Sequence, residues 1–445
     1  MKNQNHLQMW RLAGPLILSN ISIALLGIVD TAVVGHLSHP YYLGAVAIAA
    51  VIFDFLYWGM GFLRMGTTGI VAQVHGRGDN DEIRTALFHS CSIAILIALI
   101  ILLLQVPVSR FAFFLIGGSK EVIEHARIYF NWAIWGAPAV LCSMALFGWL
   151  LGLQNARATL YFAICVNLIN IILDLVFVLG FGMGVKGVAL ASVIAQYCGF
   201  LLAIFLVRRE LRKYPGQWRA EIIMDITVLF KMLSLNKDIF IRTLCLISVF
   251  AFFARQGAAQ GDVILAANAV LLNFQAVTAL GLDGFANATE ALVGKAIGAA
   301  DKTAFHQSIR SALLWSVIIA VMLSLTYYLG ATQLIMLMTS IPDVVRAANI
   351  YLPWLIVSPM LSVWCFLLDG IFIGAVKGPE MRNAMLISSF IIFLPAWYFL
   401  QDLGNHGLWA ALLIFFVGRG ITLVWYFIRI EKGRVGFVDV NQLTL

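Results

Sequence analysis

Two carboxylates lie inside strongly apolar stretches in the first half of this 445-residue chain. Asp30 falls in a run that begins near residue 9, and Asp174 falls in one that begins near residue 158. An ionisable side chain within a membrane span is costly and marks a functional site by default. Burial and a neighbouring negative charge both favour the protonated form of a carboxyl group. The two acids are therefore candidates for binding and releasing a proton.

Polar residues at helical spacing accompany both carboxylates. Residues that are three, four or seven positions apart on a helix share one face. Such companions are Asn167 and Asn170 with Asp174, Ser192 with Gln196 in the following span, and Asn20 and Gly27 with Asp30. Carboxylate, amide and hydroxyl oxygens suit a hard cation, so the group could hold Na⁺ as well as a proton. Asn20, Asn167 and Gln196 are also candidates for lining a substrate cavity. The alternative is that asparagine and serine only join neighbouring helices by hydrogen bonds.

Pro15 lies in the same apolar run as Asp30, about four turns before it. A proline inside a helix lacks the N–H donor and clashes with the preceding turn, so it kinks the helix or lets it bend. Pro15 by itself predicts a static kink, with a hinge as the alternative.

The second half carries its own intramembrane acids. Asp283 and Glu290 lie seven residues apart and share a helix face, and Asp369 lies in a later apolar run. They form either a second polar site or an interhelical packing pair.

The composition defines the class of protein. Of all residues 62% are hydrophobic and 11% charged, against about 45–50% and about 25% in soluble domains. This excludes a soluble enzyme, a nucleic-acid binder and a disordered protein. The six cysteines are scattered singly without a C-x-x-C pair, so we expect reduced thiols, no disulfide framework and no cysteine metal site.

About twelve stretches are long and apolar enough to cross a bilayer, for which about 20 residues suffice. The predicted spans lie near 9–36, 43–74, 85–109, 123–152, 158–180, 187–207, 238–257, 263–294, 304–330, 346–374, 383–402 and 406–428. The sequence thus predicts an all-α integral membrane protein.

The 29 lysines and arginines are distributed unevenly between the two sides of these spans. One side holds 21 of them and the other 6, while Arg64 and Arg419 fall inside spans. By the positive-inside rule, both termini are expected in the cytoplasm. The net charge of +7 is therefore an orientation signal and not a sign of a nucleic-acid partner.

The chain repeats itself at an offset of 222 residues. Gly76 and Asp79 match Gly298 and Asp301, and several other glycines, a tyrosine and a tryptophan match at the same shift. We therefore predict an N-lobe (1–207, spans 1–6), a cytoplasmic linker (208–237) and a C-lobe (238–445, spans 7–12). Two six-helix lobes inserted the same way up are related by an axis along the membrane normal, and rocking of such lobes gives alternating access. Asp30 and Asp174 have apolar counterparts, so their chemistry belongs to the N-lobe.

Several local patterns are similar to those of the multidrug and toxic compound extrusion (MATE) transporters, in particular the DinF-type branch. The resemblance covers nearly the whole chain. The matching patterns are Pro15 with Asp30-Thr-Ala-Val-Val-Gly-His, Gly61-Phe-Leu-Arg-Met-Gly-Thr-Thr-Gly, Asn236-Lys-Asp-Ile-Phe-Ile-Arg-Thr, Glu290-Ala-Leu-Val-Gly-Lys and Asp369-Gly-Ile-Phe-Ile-Gly-Ala.

The resemblance implies a twelve-helix, two-lobed MATE fold and an antiporter that expels amphipathic, often cationic drugs in exchange for H⁺ or Na⁺. It implies that H⁺ or Na⁺ binds at an N-lobe group, and that protonation of Asp30 bends span 1 at Pro15 and displaces the drug. Phe252 stands where other branches carry a C-lobe acid. The implied cation group is Asp30, Tyr129, Asn170, Asp174 and Ser192, where Ser192 replaces a frequent threonine.

The expected partners are small-molecule drugs and the lipid bilayer, with no nucleic acid, and the protein is expected to work as a monomer. No cofactor is expected apart from the coupling ion. The expected location is the inner membrane of a bacterium.

One alternative function is that of a flippase for a lipid-linked precursor, which would need several cationic residues in its cleft. Another is an ion channel, against which the duplicated halves and N-lobe carboxylates argue. A membrane enzyme is disfavoured because the chain has neither a nucleophile motif with a partner histidine nor His-Glu-x-x-His.

Overall fold

The computed structural model describes residues 2–35, 40–117, 119–218, 226–432 and 437–438. The side chains of residues 27–35, among them that of Asp30, lie outside this description. The described residues are helical almost throughout and contain no strand.

The α-helices follow the predicted spans in order along the chain. They are α1 (Lys2–Gly35), α2 (Pro40–Gly59), α3 (Phe62–Arg77), α4 (Asn80–Leu103), α5 (Gln105–Ile116), α6 (Lys120–Ala133), α7 (Ala137–Gly152), α8 (Ala156–Asp174), α9 (Gly184–Leu211), α10 (Ile226–Ala259), α11 (Asp262–Gly298), α12 (Lys302–Met338), α13 (Pro342–Gly374), α14 (Gly378–Leu386), α15 (Leu394–Leu400) and α16 (Asn405–Glu431). Within the described residues, ten segments are long and apolar enough to cross a membrane. The predicted all-α membrane fold is confirmed.

Some predicted spans are not single helices. The second is broken at a turn around Met60 and Gly61, between α2 and α3. The fourth consists of α6 and α7 joined by one 3₁₀ turn, Ile134–Gly136. The fifth continues beyond α8 as a wider π-helical turn, Leu175–Gly180. Uniformly apolar sequence hides such breaks, because hydropathy records burial in lipid and not local backbone geometry.

The repeat appears in the backbone as well as in the sequence. Asp79 caps α4 by accepting hydrogen bonds from the N–H groups of Asp81 and Glu82 at 3.0 and 2.9 Å. Its counterpart Asp301 caps α12 by accepting from the N–H of Ala304 at 2.9 Å. The residues before these caps, at positions 78 and 300, both have positive φ angles, of 76° and 53°. The Gly-x-x-Asp pattern is thus a helix–turn–helix joint that occurs once in each half.

Glycines let matched helix pairs approach closely in each half. A Cβ added to Gly148 of α7 would overlap the backbone oxygen of Arg64 in α3. A Cβ added to Gly370 of α13 would overlap the backbone oxygen of Ala286 in α11 in the same way. Each residue of the second contact lies 222 residues after its counterpart in the first. The repeat therefore extends to the helix packing within each half.

The helices form two compact units. The N-terminal unit is Gly14–Phe230, and the C-terminal unit combines Met1–Ala13 with Lys231–Leu445. The division within α1 falls between Ala13 and Gly14, one residue before Pro15. The start of α10 at Ile226 also lies within the stretch predicted as a linker.

Candidate functional site

Helix α8 carries the polar face that the spacing predicts. Asn167, Asn170 and Asp174 are 7%, 2% and 0% exposed, so all three are withdrawn from the surface. Asp174 is the last residue of α8 and immediately precedes the π-helical turn. A fully buried carboxylate at a helix end is an expensive feature that a purely structural helix does not need.

Asn170 and Ser192 meet across the interface between α8 and α9. The Asn170 amide Nδ2 donates to the Ser192 Oγ at 3.1 Å. The Asn170 side-chain oxygen, the Ser192 hydroxyl and the Asp174 carboxylate one turn further along α8 are hard oxygen donors. Such donors suit a proton or Na⁺ better than a transition metal.

Tyr129 of α6 packs against a small apolar cluster formed by Val178, which follows Asp174 in the π-helical turn, and Val188 of α9. Its ring also lies 6.2 Å from that of Phe53 in α2, centroid to centroid. The structure thus joins Asn170 and Ser192 by a hydrogen bond and places Asp174 one turn further along α8. Tyr129 packs beside an apolar cluster that the π-helical turn and α9 supply.

Asp30 is the fifth residue of the predicted cation group. Its backbone continues α1 without a break, and its side chain lies outside the described residues. Pro15 is inside the same helix, and Asn20 is half-buried five residues later.

Asn167 turns towards α1 and not towards Ser192. Its amide Nδ2 donates to both the backbone oxygen and the Oγ of Ser22, each at 2.7 Å. Gln196 of α9 places its side-chain oxygen against Gly136, where a Cβ would overlap it. These two predicted cavity residues thus engage neighbouring helices.

The acids of the C-terminal unit have a different environment. Asp369 of α13 is bonded through one oxygen to both Arg242 of α10 and Arg419 of α16. All three side chains are buried. Two further acids, Asp283 and Glu290 of α11, act electrostatically on Arg242. The group is a buried charge network in which Asp369 is neutralised by cations.

Sequence reasoning did not identify this network. The sequence shows Arg419 as a charge inside a span but does not indicate its partner. Arg242 is one of the 21 basic residues on the cytoplasmic side, and a count of lysines and arginines ignores depth within a helix. The available signal was that an acid and an arginine both lie within spans of the same half, where each needs a counter-charge.

Within the described residues, no group of three or more His, Cys, Asp or Glu side chains could hold a metal ion. The oxygen set on α8 and α9 contains a single described carboxylate, together with an amide and a hydroxyl. Oxygens of these kinds suit a proton or a hard cation such as Na⁺.

Comparison with known proteins agrees with this architecture. The MatE family model matches residues 15–176 and 239–399, once in each half of the chain. DNA damage-inducible protein F of Escherichia coli is 40% identical over 426 residues, covering 94% of this chain and 91% of that protein. A probable multidrug resistance protein NorM of Rhizobium meliloti is 25% identical over 442 residues, covering 94% and 92%.

Solved structures show the same fold. A mutant of the Vibrio cholerae MATE transporter VcmN superposes with a TM-score of 0.87 at 20% identity, covering 97% of this chain and 98% of that one. VcmN in the bent form gives a TM-score of 0.84 at 21% identity, covering 95% and 96%.

Proposed function

Because this chain belongs to the MATE family, a family of multi-pass membrane transporters and not of enzymes, we propose that it exports amphipathic, often cationic compounds in exchange for a cation. The coupling ion in this proposal is H⁺, with Na⁺ as the alternative that the same oxygens would accept. Transport proceeds by alternating access between the two lobes.

The buried carboxylate Asp174 carries the proposal. It has 0% exposure and lies one turn from Asn170, whose amide bonds Ser192. Burial disfavours the charged form of an acid unless a cation or proton compensates it. An N-lobe acid in this setting can therefore exchange its counter-charge, which a coupled antiporter requires.

The charge network of the C-terminal unit supports an N-lobe location for the coupling. Asp369 is already compensated by Arg242 and Arg419. An acid that is permanently paired with arginine gains little from binding a proton. The same pairing argues against a flippase, because both arginines are engaged by Asp369 and do not offer their charge to a pyrophosphate.

In the proposed cycle, protonation of Asp30 allows α1 to bend at Pro15, and the bend reduces the drug cavity of the N-lobe. The helix is continuous through Pro15, so the proline leaves one backbone carbonyl without its usual helical donor. That missing bond makes Pro15 the weakest point for bending in α1. We further propose a bacterial inner-membrane location, cytoplasmic termini and a functional monomer.

The test is drug exchange in everted vesicles under an imposed proton gradient. Asp30→Asn removes the exchangeable charge and is expected to abolish exchange. Asp54→Asn is the matched control, since Asp54 is an exposed acid in α2 of the same unit. Full transport by the Asp30→Asn protein would refute the mechanism.

The coupling ion requires a separate measurement on purified protein with bound drug. Release of the drug by a pH drop without Na⁺ supports H⁺ coupling. Release by Na⁺ at constant pH supports the alternative and would overturn the choice of H⁺.

A further inference from the structure

We propose that Asn167 is a positioning residue that latches α1 in its straight form and releases it in every transport cycle. The proposal builds on the proposed cation-coupled function and adds a residue that controls the bend. It assigns Asn167 a role in motion and not in lining the substrate cavity.

The contact between α8 and α1 reaches the backbone of α1. The Asn167 Nδ2 lies 2.7 Å from the backbone oxygen of Ser22 and 2.7 Å from its Oγ. A carbonyl oxygen has two lone pairs, so it can accept this bond in addition to its helical one. A bond to the backbone fixes the position of the helix itself, whereas a bond to a side chain can be kept by a change of rotamer.

The distance between Pro15 and Ser22 along α1 makes this hydrogen bond sensitive to bending. Ser22 lies seven residues beyond Pro15, which is about 10 Å along a helix at about 1.5 Å per residue. Sharp helix kinks exceed about 20°, and a rotation of that size about Pro15 moves Ser22 by about 4 Å. Hydrogen bonds extend only to about 3.2 Å. Helix α1 therefore cannot bend at Pro15 and keep its bond to a stationary Asn167.

The latch and the oxygen group share one rigid element. Asn167 lies one turn before Asn170 and two turns before Asp174 on α8. A shift or rotation of α8 that follows cation binding would thus move Asn167 relative to Ser22 of α1. This arrangement gives a direct mechanical connection between the cation group and the hinge helix.

The competing interpretation is a permanent contact that merely joins two helices. Both interpretations predict that the bond is present in the straight form. They differ only in whether the bond must open during transport, so the decisive experiment closes it covalently.

The experiment uses Ser22→Cys with Asn167→Cys in the full chain, with the six native cysteines replaced by alanine and a short bifunctional methanethiosulfonate as the bridging reagent. After reconstitution in liposomes, the bridged protein is expected to bind drug, and its exchange rate is expected to fall at least about tenfold. Reduction of the bridge should restore exchange. Unchanged exchange by the bridged protein would show that the contact is permanent and would overturn the proposal.

A matched control bridges another interhelical bond in the same unit. Asn155 Nδ2 donates to Glu210 Oε2 at 2.9 Å, between the start of α8 and the end of α9. Bridging Asn155→Cys to Glu210→Cys is expected to leave exchange unchanged, because Asn155 lies about 18 Å before Asn167 along α8, at about 1.5 Å per residue. Equal inhibition by both bridges would indicate general stiffening and count against a latch.

A second measurement does not depend on transport. Spin labels at Ile23 of α1 and Leu96 of α4, both exposed, report the distance between these helices. Removing two hydrogen bonds by Asn167→Ala is expected to raise the ratio of bent to straight molecules by about tenfold, and Asn167→Gln should restore part of the loss. Identical distance distributions for wild type and Asn167→Ala would overturn the latch. Absence of drug exchange by wild type would instead refute the proposed function and leave this distance test valid.

Discussion

The buried charge network of the C-terminal unit predicts a large loss of stability when Asp369 is replaced, and a smaller loss when one of its arginines is replaced. In Asp369→Asn, Arg242 and Arg419 both lose the carboxylate that they share. Removing one partner from a buried ion pair costs about 3–5 kcal/mol, because an uncompensated buried charge remains. All three side chains are less than 10% exposed, at 6%, 7% and 2% for Asp369, Arg242 and Arg419, so solvent does not relieve that cost.

The expected change in melting temperature follows from the size of the unit. A change of 1 kcal/mol shifts Tm by about 2–4 °C for a domain of about 150–250 residues. Asp369→Asn should therefore lower Tm by roughly 6–20 °C. Arg419→Met should cost less, since Asp369 keeps its bond to Arg242. Asp54→Asn in the N-terminal unit serves as the control and should change Tm little.

The assay is thermal unfolding in detergent, followed by the loss of the monodisperse peak in size-exclusion chromatography. Transport is measured on the protein that remains folded and is normalised to its amount. We expect normalised transport to persist in Asp369→Asn, because the acid stabilises the fold. A Tm change below about 2 °C, or a larger loss in Arg419→Met than in Asp369→Asn, would refute this reasoning.

Further predictions concern packing, capping and the cation group. Gly370→Ala should destabilise by about 1–3 kcal/mol, because its methyl group would overlap the backbone of Ala286 and force the helices apart; Gly330→Ala, with open space around it, should be neutral or stabilising in the same melting assay. Asp79→Ala should lower the free energy of unfolding by about 1 kcal/mol, because it removes the cap of α4. Asp79→Asn should retain most of this stability, and equal stability of the two variants would contradict the capping role. Asn170→Ala should weaken H⁺-driven exchange at least tenfold while Tm falls only slightly. Normal exchange by this variant would exclude Asn170 from the cation group.

The apolar spans predict the helical membrane fold, and the duplication of the chain predicts its two halves. The Gly-x-x-Asp pattern recurs at one offset, and Asp79 and Asp301 form the same cap in the structure. Helical spacing likewise placed Asn170 and Asp174 on one buried face of α8. These features depend on local sequence and on periodicity, which are visible without coordinates.

Other features depend on partners that are distant in sequence. Spacing alone does not reveal that Asn167 faces α1 while Asn170 faces α9, because the neighbours of a helix are set by tertiary packing. The pairing of Arg242 with Asp369 joins residues 127 positions apart. The π-helical turn after Asp174 also leaves no mark in a uniformly apolar sequence.

The central claim is that an acid buried in the N-terminal unit couples cation movement to drug export. Its most direct test is proton-driven drug exchange in proteoliposomes that contain Asp174→Asn at a verified amount of folded protein. We predict that exchange is lost, while drug binding and Tm change little. Exchange at the wild-type rate, with the same dependence on the proton gradient, would contradict the account.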